Sequence, residues 1–461
     1  MTTDPLLPPM PSSASRPTTK NLLLYHKLSL LTKPNAKTLA VGCRIHDLID
    51  YLDEKPHQHL TGLNLAGHGT VHSITYKNNN VSILDGSPAH LVPPTQYDTI
   101  LLPNSLPEHY DAQQLLADLE PWAHPRTKLI IAHQNNLWEP LLKKSHNAWV
   151  SPQDVKTLCE LTQWEVFKTD GCSLIPARLL FADLINQWVA PCLPPLQQFA
   201  ISFCRKKSPR KAEMISIIIP VRNEAGNIPF TLDKIPNLNR PTEVLFVEGN
   251  SKDNTWQALL NLPPTHKGRD LHILKQPGIG KGDAVRHGFA HAQGDLLIIL
   301  DGDLTMPPEE LPKYVRALED GITDFANGSR LVYTMEKTAM QTANLIANKA
   351  FGLAFSSVLK QPIKDTLCGT KCLWKEDYEE IACNRSYFGD LDPFGDFDLL
   401  LGASHLNLKI LDIPIHYKER IYGETNIQRW KHGVLLAKML WLAARKLQFH
   451  SSRPLDKYPQ S

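Results

Sequence analysis

LLIILDGDL, residues 296–304, is the stretch from which the rest of the chain is read. Leu297 to Leu300 form a short apolar run of the kind that fills a buried strand, and Asp301, Gly302 and Asp303 follow it at once. Two carboxylates at i and i+2, with a glycine between them, can reach one divalent cation together while a ligand's phosphates complete its oxygen shell. Burying two like charges without such a cation would push one carboxyl pKa up sharply. The alternative is a solvated acidic turn, and what lies upstream decides between them.

Upstream, SIIIPV (216–221), EVLFVE (243–248) and LHILK (271–275) are further short apolar runs, with helical stretches between them. That alternation predicts a mostly parallel sheet covered on both faces. Ligands sit beyond the carboxyl ends of such strands, so the chemically useful residues should follow each run. After the first comes a polar turn from Pro220 through Arg222 and Glu224 to Ile228, on which a nucleotide can lie. After the second comes Glu248-Gly249-Asn250-Ser251, where the acid can accept hydrogen bonds from a base or a ribose, although the same residues also build ordinary turns. After the third comes GIGKGDAVR (278–286), whose glycines let backbone approach a ligand and whose helix start favours anions. It matches neither the Walker loop nor GxGxxG, and a simple turn is its alternative reading. Following these three loops, the acidic pair reads as a metal site.

SIIIPVRNEAGNI, VEGNSKDNT, GIGKGDAVRHGFAHAQGD and LLIILDGDL, in this order and spacing, resemble a family 2 glycosyltransferase of the GT-A type, and among these the dolichol- or polyprenyl-phosphate sugar synthases. The resemblance spans roughly residues 214–450. It implies that Pro220, Arg222, Glu224, Glu248, Lys281 and Gly302 bind a nucleotide-diphosphate sugar, and that Asp301 and Asp303 hold Mg²⁺ or Mn²⁺ on the diphosphate. Asn327-Gly328-Ser329-Arg330 and the segment from Glu419 to Asn426 resemble later family motifs, which makes Arg330 and Arg420 candidates for clamping phosphates. Glu248 stands where the family often has aspartate, and Asn426 where it has lysine. The implied reaction is inverting transfer of a sugar to a lipid phosphate or a glycan.

A lipid phosphate is already an anion at neutral pH and needs no general base, whereas a hydroxyl acceptor does. Asp396 and Asp398 are candidates for that base or for acceptor binding, with a plain helix N-terminus as the alternative. His416 is a candidate third metal ligand, with a strand histidine as its alternative, and Thr305 is a weaker candidate. The final helix, 430–449, carries Lys431, Lys438 and Arg445 at sevenfold spacing. Packing on the catalytic domain explains such a pattern, and so does peripheral contact with an anionic membrane.

Before residue 205 the chain reads differently. TLAVGCRIHD (38–47), LTGLNLA (60–66), YDTILL (97–102) and KLIIA (128–132) follow the strand order of a class I methyltransferase, which the stretch 21–205 resembles. Arg44 and His46 occupy the positions where a working cofactor loop has glycines, and Asn64 stands where an acid should hold the ribose. Binding of S-adenosylmethionine is therefore not expected, and a supporting role is. A bifunctional methyltransferase and glycosyltransferase acting on a glycan hydroxyl, and a nucleotide-sugar-binding protein without turnover, are the rival readings.

The whole-chain properties are consistent with this organisation. At 461 residues two domains are expected, and the charged run CRKKSPRKAEM (204–214) marks the join, with 206–213 as linker. The overall expectation is α/β, two doubly wound domains, with a Pro/Ser/Thr-rich lead-in over 1–20 and a tail over 451–461. Forty-nine Lys and Arg against 47 Asp and Glu leave no broad field for nucleic acid. Eight cysteines without paired spacing fit free thiols in a reducing cytoplasm. No apolar run is long enough to span a bilayer, so a cytoplasmic protein is expected, with the inner membrane face as the place of any peripheral contact.

Overall fold

The computed structural model describes residues 19–42, 45–53, 56–65, 71–75, 79–104, 106, 111–138, 150–175, 182, 185–333, 342–387, 395–420, 422 and 429–448. Arg44, Asn426 and most of the lead-in and tail lie outside these, as do the side chains of Asp396 and Lys431. Thr19 and Lys20, expected in the lead-in, already belong to the first helix.

Two eight-stranded sheets divide the chain. The first contains β1 (Lys37–Val41), β2 (His59–Asn64), β3 (Val71–Thr75), β4 (Asn80–Asp85), β5 (Tyr97–Pro103), β6 (Ala123–Gln134), β7 (Trp164–Cys172) and β8 (Phe199–Lys206), in the order β3-β4-β2-β1-β5-β6-β8-β7. Strands β4, β2, β1, β5 and β6 are parallel, while β3 and β8 run antiparallel to their neighbours. Its helices are α1 (Thr19–Leu31), α2 (Ile45–Leu52), α3 (Ala112–Asp118) and α4 (Pro152–Glu160).

The second contains β9 (Ile215–Val221), β10 (Thr242–Glu248), β11 (Thr265–His266), β12 (Arg269–Lys275), β13 (Leu296–Ile299), β14 (Phe325–Ser329), β15 (Lys371–Trp374) and β16 (Ile410–Pro414), in the order β11-β12-β10-β9-β13-β15-β14-β16. Its helices are α5 (Ile228–Lys234), α6 (Thr255–Leu260), α7 (Lys281–His291), α8 (Leu311–Glu319), α9 (Thr342–Leu359), α10 (Lys375–Cys383), α11 (Asp396–His405) and α12 (Arg429–Leu447). Four strands, β12, β10, β9 and β13, are parallel as expected. Beyond β13 the sheet departs from a purely doubly wound one, because β15 pairs antiparallel with both β13 and β14.

The central strands are buried on both faces, which explains their unbroken apolar sequence. Ile217, Ile219, Phe246 and Ile298 enter one core, and the alternate residues Ile218, Val247, Leu297 and Ile299 enter the other. Helix α7 crosses so closely that a Cβ at Gly288 would lie 2.6 Å from Ile218 Cγ2. Only glycine permits that approach.

The two halves meet through their strands' amino-terminal edges. Asp324, just before β14, accepts from Arg205 Nη1 at 2.7 Å and from Lys128 Nζ at 2.9 Å. Arg126 Nη2 donates to Asp377 at 2.6 Å, Lys409 Nζ reaches Glu165 at 2.6 Å, and Lys33 and Arg210 engage Glu380 and Glu376. A cavity of about 300 Å³ at this junction is lined by Arg126, Lys128, Arg205, Asp324 and Asp377 among others.

Asp377 is the group there whose titration is most displaced upward: burial raises it, Arg126 only partly offsets this, and it is pushed up to about 6. An acid raised in the fold keeps a proton that the unfolded chain releases, so its contribution to stability falls as pH rises from the ordinary carboxylate value to about 6. Asp377→Asn removes that titration. Thermal denaturation at about pH 4 to 7 is expected to show the variant gaining on the parent across this window by up to about 3 kcal/mol, with no further gain above it.

Candidate functional site

The loops at the carboxyl edge of the second sheet depart from ordinary backbone where they approach one another. Asn223 follows β9 at φ 57°, Asn250 follows β10 at φ 55°, and Leu304 follows the acidic pair at φ 57°. Asparagine tolerates the left-handed region, whereas leucine does so at a cost, and such strain persists only where surroundings over-determine it. The surroundings here are tight. A Cβ at residue 302 would stand 2.8 Å from Val221 Cγ1 and 3.2 Å from the Pro220 carbonyl, so the residue between the two acids must be small.

Asp303 Oδ1 accepts from Thr305 backbone N–H at 3.1 Å and from its hydroxyl at 2.8 Å, which fixes the carboxylate plane. Its Oδ2 accepts from Arg420 Nη2 at 2.5 Å. Through Nη1, 3.2 Å from Glu224 Oε1, the same guanidinium ties Asp303 to the first loop. Asp301 Oδ1 is 2.7 Å from Lys281 Nζ, brought there from the start of α7. A Cβ at Gly369 would fall 2.0 Å from that Nζ, so the Gly369 backbone passes close beside the Lys281–Asp301 pair.

The electrostatics follow from these contacts. Burial alone would raise the Asp301 carboxyl; the Lys281 ammonium overrides it, Lys371 and Arg330 add to the effect, and the group sits below the ordinary carboxylate range. Glu224 shows the opposite balance. Burial pushes it up to about 7 despite Arg420 and Asn227, with Asp303 and Asp253 raising it further.

The loops after β9 and β10 are joined to one another. Asn223 N–H donates to Ser251 Oγ at 3.0 Å and Lys252 N–H to Asn223 Oδ1 at 2.8 Å, while Glu248, nearly fully buried, accepts from Ser251 N–H at 2.5 Å. Pro220 is partly exposed and Arg222 is exposed, on the rim. A strap, residues 415–420 with Tyr422, lies against several of these loops. Ile415 N–H donates to the Ser329 carbonyl, Lys418 N–H to the Thr305 carbonyl at 2.9 Å, and the Tyr422 ring covers Gly226 so closely that a Cβ there would lie 2.6 Å from it.

Asp301, Asp303, Lys281, Arg420 and Glu224 are thus one cluster, with Glu248 beside it. Arg330 is held differently: its Nε and Nη2 grip Asp365 at 2.7 and 2.9 Å. Asp398 faces Arg385 Nε at 3.2 Å and Arg286 at 3.7 Å, and Asp396 is the first residue of α11. His416 Nδ1 lies 2.5 Å from Glu310 and its ring stacks on Tyr333.

Sequence reasoning missed Asp365, Asn227 and the fully buried Lys371, whose Nζ donates to the Cys368 carbonyl. Asn227 lies inside the SIIIPVRNEAGNI segment without being singled out there, whereas Asp365 and Lys371 belong to no motif and only the fold brings them in. Among the described residues no group of three or more His, Cys, Asp or Glu gathers to hold a metal. The acidic pair by itself supplies hard oxygen ligands, Asp301 held ionised by the Lys281 ammonium, which fits a divalent cation whose remaining ligands come from phosphate and water.

Residues 216–381 match the family model for Glycosyl transferase family 2. Over that stretch the chain is similar to family 2 glycosyl transferases. Its matched segment begins in β9 and ends in α10, so it contains the three loops, the acidic pair and Arg330, while Arg420 and Asp398 lie beyond it. Among solved structures, the chain is similar to glucosyl-3-phosphoglycerate synthase from Mycobacterium tuberculosis, solved with Mn²⁺, UDP and glucosyl-3-phosphoglycerate, at 16% identity over 51% of this chain and 80% of that one, TM-score 0.37. It is also similar to a mannosyltransferase from Pyrobaculum calidifontis, solved with GDP-Man and Mn²⁺, at 19% identity over 53% of this chain and 70% of that one, TM-score 0.36.

Proposed function

We propose that the glycosyltransferase domain moves a sugar, with inversion, from a nucleotide-diphosphate donor to a polyprenyl phosphate or a related acceptor, using Mg²⁺ or Mn²⁺ held by Asp301 and Asp303. One observation carries this reading: two carboxylates at the end of β13, each against a cation, Lys281 and Arg420, that comes from a different segment. A divalent cation bound there would offset the charge that grows on the departing diphosphate. Lys281 and Arg420 stand beside it as fixed donors for the remaining phosphate oxygens, and preorganised donors of this kind need no rearrangement as charge develops. Glu248 and the joined 222–228 and 249–255 loops hold the nucleoside. Asp396 and Asp398 are the candidates for a base if the acceptor is a hydroxyl, and a phosphate acceptor requires none.

The first half is proposed to be a methyltransferase-like domain over 21–205, joined by 206–213 to a catalytic domain over 214–450. Its sheet order, with antiparallel β8 between β6 and β7, supports this reading. Asn64 Nδ2 donates to Asp85 Oδ1 at 2.8 Å where β2 and β4 end, so the residue at the ribose position is already engaged with a neighbour. That favours a supporting role over methylation.

The test is nucleotide diphosphate release from a panel of UDP- and GDP-sugars, with Mn²⁺ or Mg²⁺, with and without a short polyprenyl phosphate. Turnover that requires both metal and lipid phosphate is expected. Turnover indifferent to the lipid but responsive to a glycan would replace the acceptor, and donor binding without turnover on any acceptor would defeat the reading. In the same assay Arg420→Ala is expected to lower turnover about a hundredfold. Arg420→Lys should recover only part, since one ammonium cannot bridge Glu224 and Asp303 as a guanidinium does.

A further inference from the structure

Helices α9 and α12 pack on each other at the flank of the catalytic domain. Leu436, Met439 and Ala443 of α12 share a core with Phe355 and Val358 of α9, and Gln448 Nε2 donates to the Ser357 carbonyl at 2.8 Å. What this layer turns outward has another composition. Val434, Lys438, Trp441 and Arg445 follow one another at helical spacing, and all four are exposed. Trp441 is 62% exposed, Val434 59%, and Leu353 on α9 75%. Arg445 lies over the Trp441 ring at 5.4 Å.

The charge on this layer has one sign. From Arg429 to Leu447 the sequence RWKHGVLLAKMLWLAARKL contains five lysines and arginines and no acid, and TANLIANKAFGLAFSSVL of α9 contains one lysine and no acid. The chain as a whole carries only +2, so these helices do not simply reflect a basic protein. Single exposed apolar side chains are ordinary on any surface. A tryptophan, a valine and a leucine exposed among cations, with no carboxylate on either helix, combine apolar contact with attraction to negative charge.

We propose that this face docks the protein on an anionic lipid surface, with α12 lying in the plane of the headgroups. An indole is at home at that depth, and lysine and arginine near an anionic leaflet are drawn to it. No described helix is long and apolar enough to cross a membrane, so the association is peripheral. In the sequence, α12 follows the strap over the site. The inference goes beyond the reading of the site and stands whether or not the acceptor is a lipid.

The full chain is sedimented with vesicles of phosphatidylcholine alone and of phosphatidylcholine mixed with phosphatidylglycerol. Binding to the mixed vesicles only, weakened by salt, is the expected result. Lys438→Glu with Arg445→Glu should lower the partition at least roughly thirtyfold, two cations being lost. Trp441→Ser should lower it several-fold with circular dichroism unchanged. Equal binding to both vesicles, no binding to either, or binding that survives the double substitution overturns the proposal. A change of oligomeric state on Trp441→Ser would reassign the face to a second copy. Diphosphate release with a short, water-soluble polyprenyl phosphate should be unaffected by these substitutions, so failure of docking and failure of the donor site read out separately.

Discussion

Asp303→Asn is expected to lower turnover by about a thousandfold or more, the largest single loss on this surface. The substitution keeps size and shape. The remaining carbonyl oxygen can still accept from Thr305 N–H and Oγ, so the 301–305 turn should hold its conformation. What changes is charge and polarity at the other atom, which now meets Arg420 Nη2 with a donor in place of an acceptor. Arg420 loses the Asp303 carboxylate and keeps Glu224. An oxygen ligand with a full charge becomes a neutral amide, which binds a hard cation poorly. Steady-state diphosphate release across a Mn²⁺ titration is the measurement. The loss should persist in kcat at saturating metal, while thermal denaturation stays within about 1 kcal/mol of the parent, as expected for a partly exposed side chain. Turnover within tenfold of the parent would remove Asp303 from the reaction.

That site could be anticipated because its signals are local. An apolar run followed at once by Asp-Gly-Asp is contiguous in sequence, and strands β9, β10, β12 and β13 lie within one or two residues of where apolar patterning put them. Strand β14 could not be anticipated in the same way. Phe325–Ser329 reads FANGS, and Asn-Gly is a turn signal, yet every one of its residues is buried. Asn327 is tolerated there because its Nδ2 donates to the Asp365 carbonyl and to Asp412 Oδ1, both at 2.8 Å, partners supplied by distant segments. The join between the halves was legible as a boundary and misleading as a surface. Arg205, inside the charged run at 204–214, is nearly fully buried and contacts Glu165, Asp324 and the Gly321 carbonyl. A run of charges looks solvated until the fold brings opposite charges to it, and residues more than a hundred positions apart carry no mark of that pairing.

The same reasoning makes Asp365→Ala the largest expected loss of stability, about 3–5 kcal/mol. Asp365 is fully buried and accepts from Arg330 N–H at 3.0 Å, from the Arg330 guanidinium through Nε and Nη2, from Asn348 Nδ2 at 3.0 Å and from Leu367 N–H at 3.1 Å. Burial alone would raise its pKa, but Arg330 first and Asn348 after it hold the carboxyl down at about 2. A depressed acid contributes stability that is fully present above its unfolded value and is lost as pH falls from there toward about 2. Removing the carboxylate leaves the Arg330 charge mostly buried and unpaired, which costs more than the pair itself contributes. Chemical denaturation at about pH 7 and pH 3 separates the effects: the difference between parent and variant should be large at neutral pH and smaller in acid. The functional consequence follows from position. Arg330 directly follows β14 at the carboxyl edge, so Asp365 acts as a positioning residue for a candidate phosphate-binding guanidinium. Arg330→Lys, which keeps the charge and loses the two-point grip, should raise KM for the donor more than it lowers kcat if that guanidinium meets phosphate. If Arg330 serves the fold alone, the same substitution should lower stability and leave KM where it was.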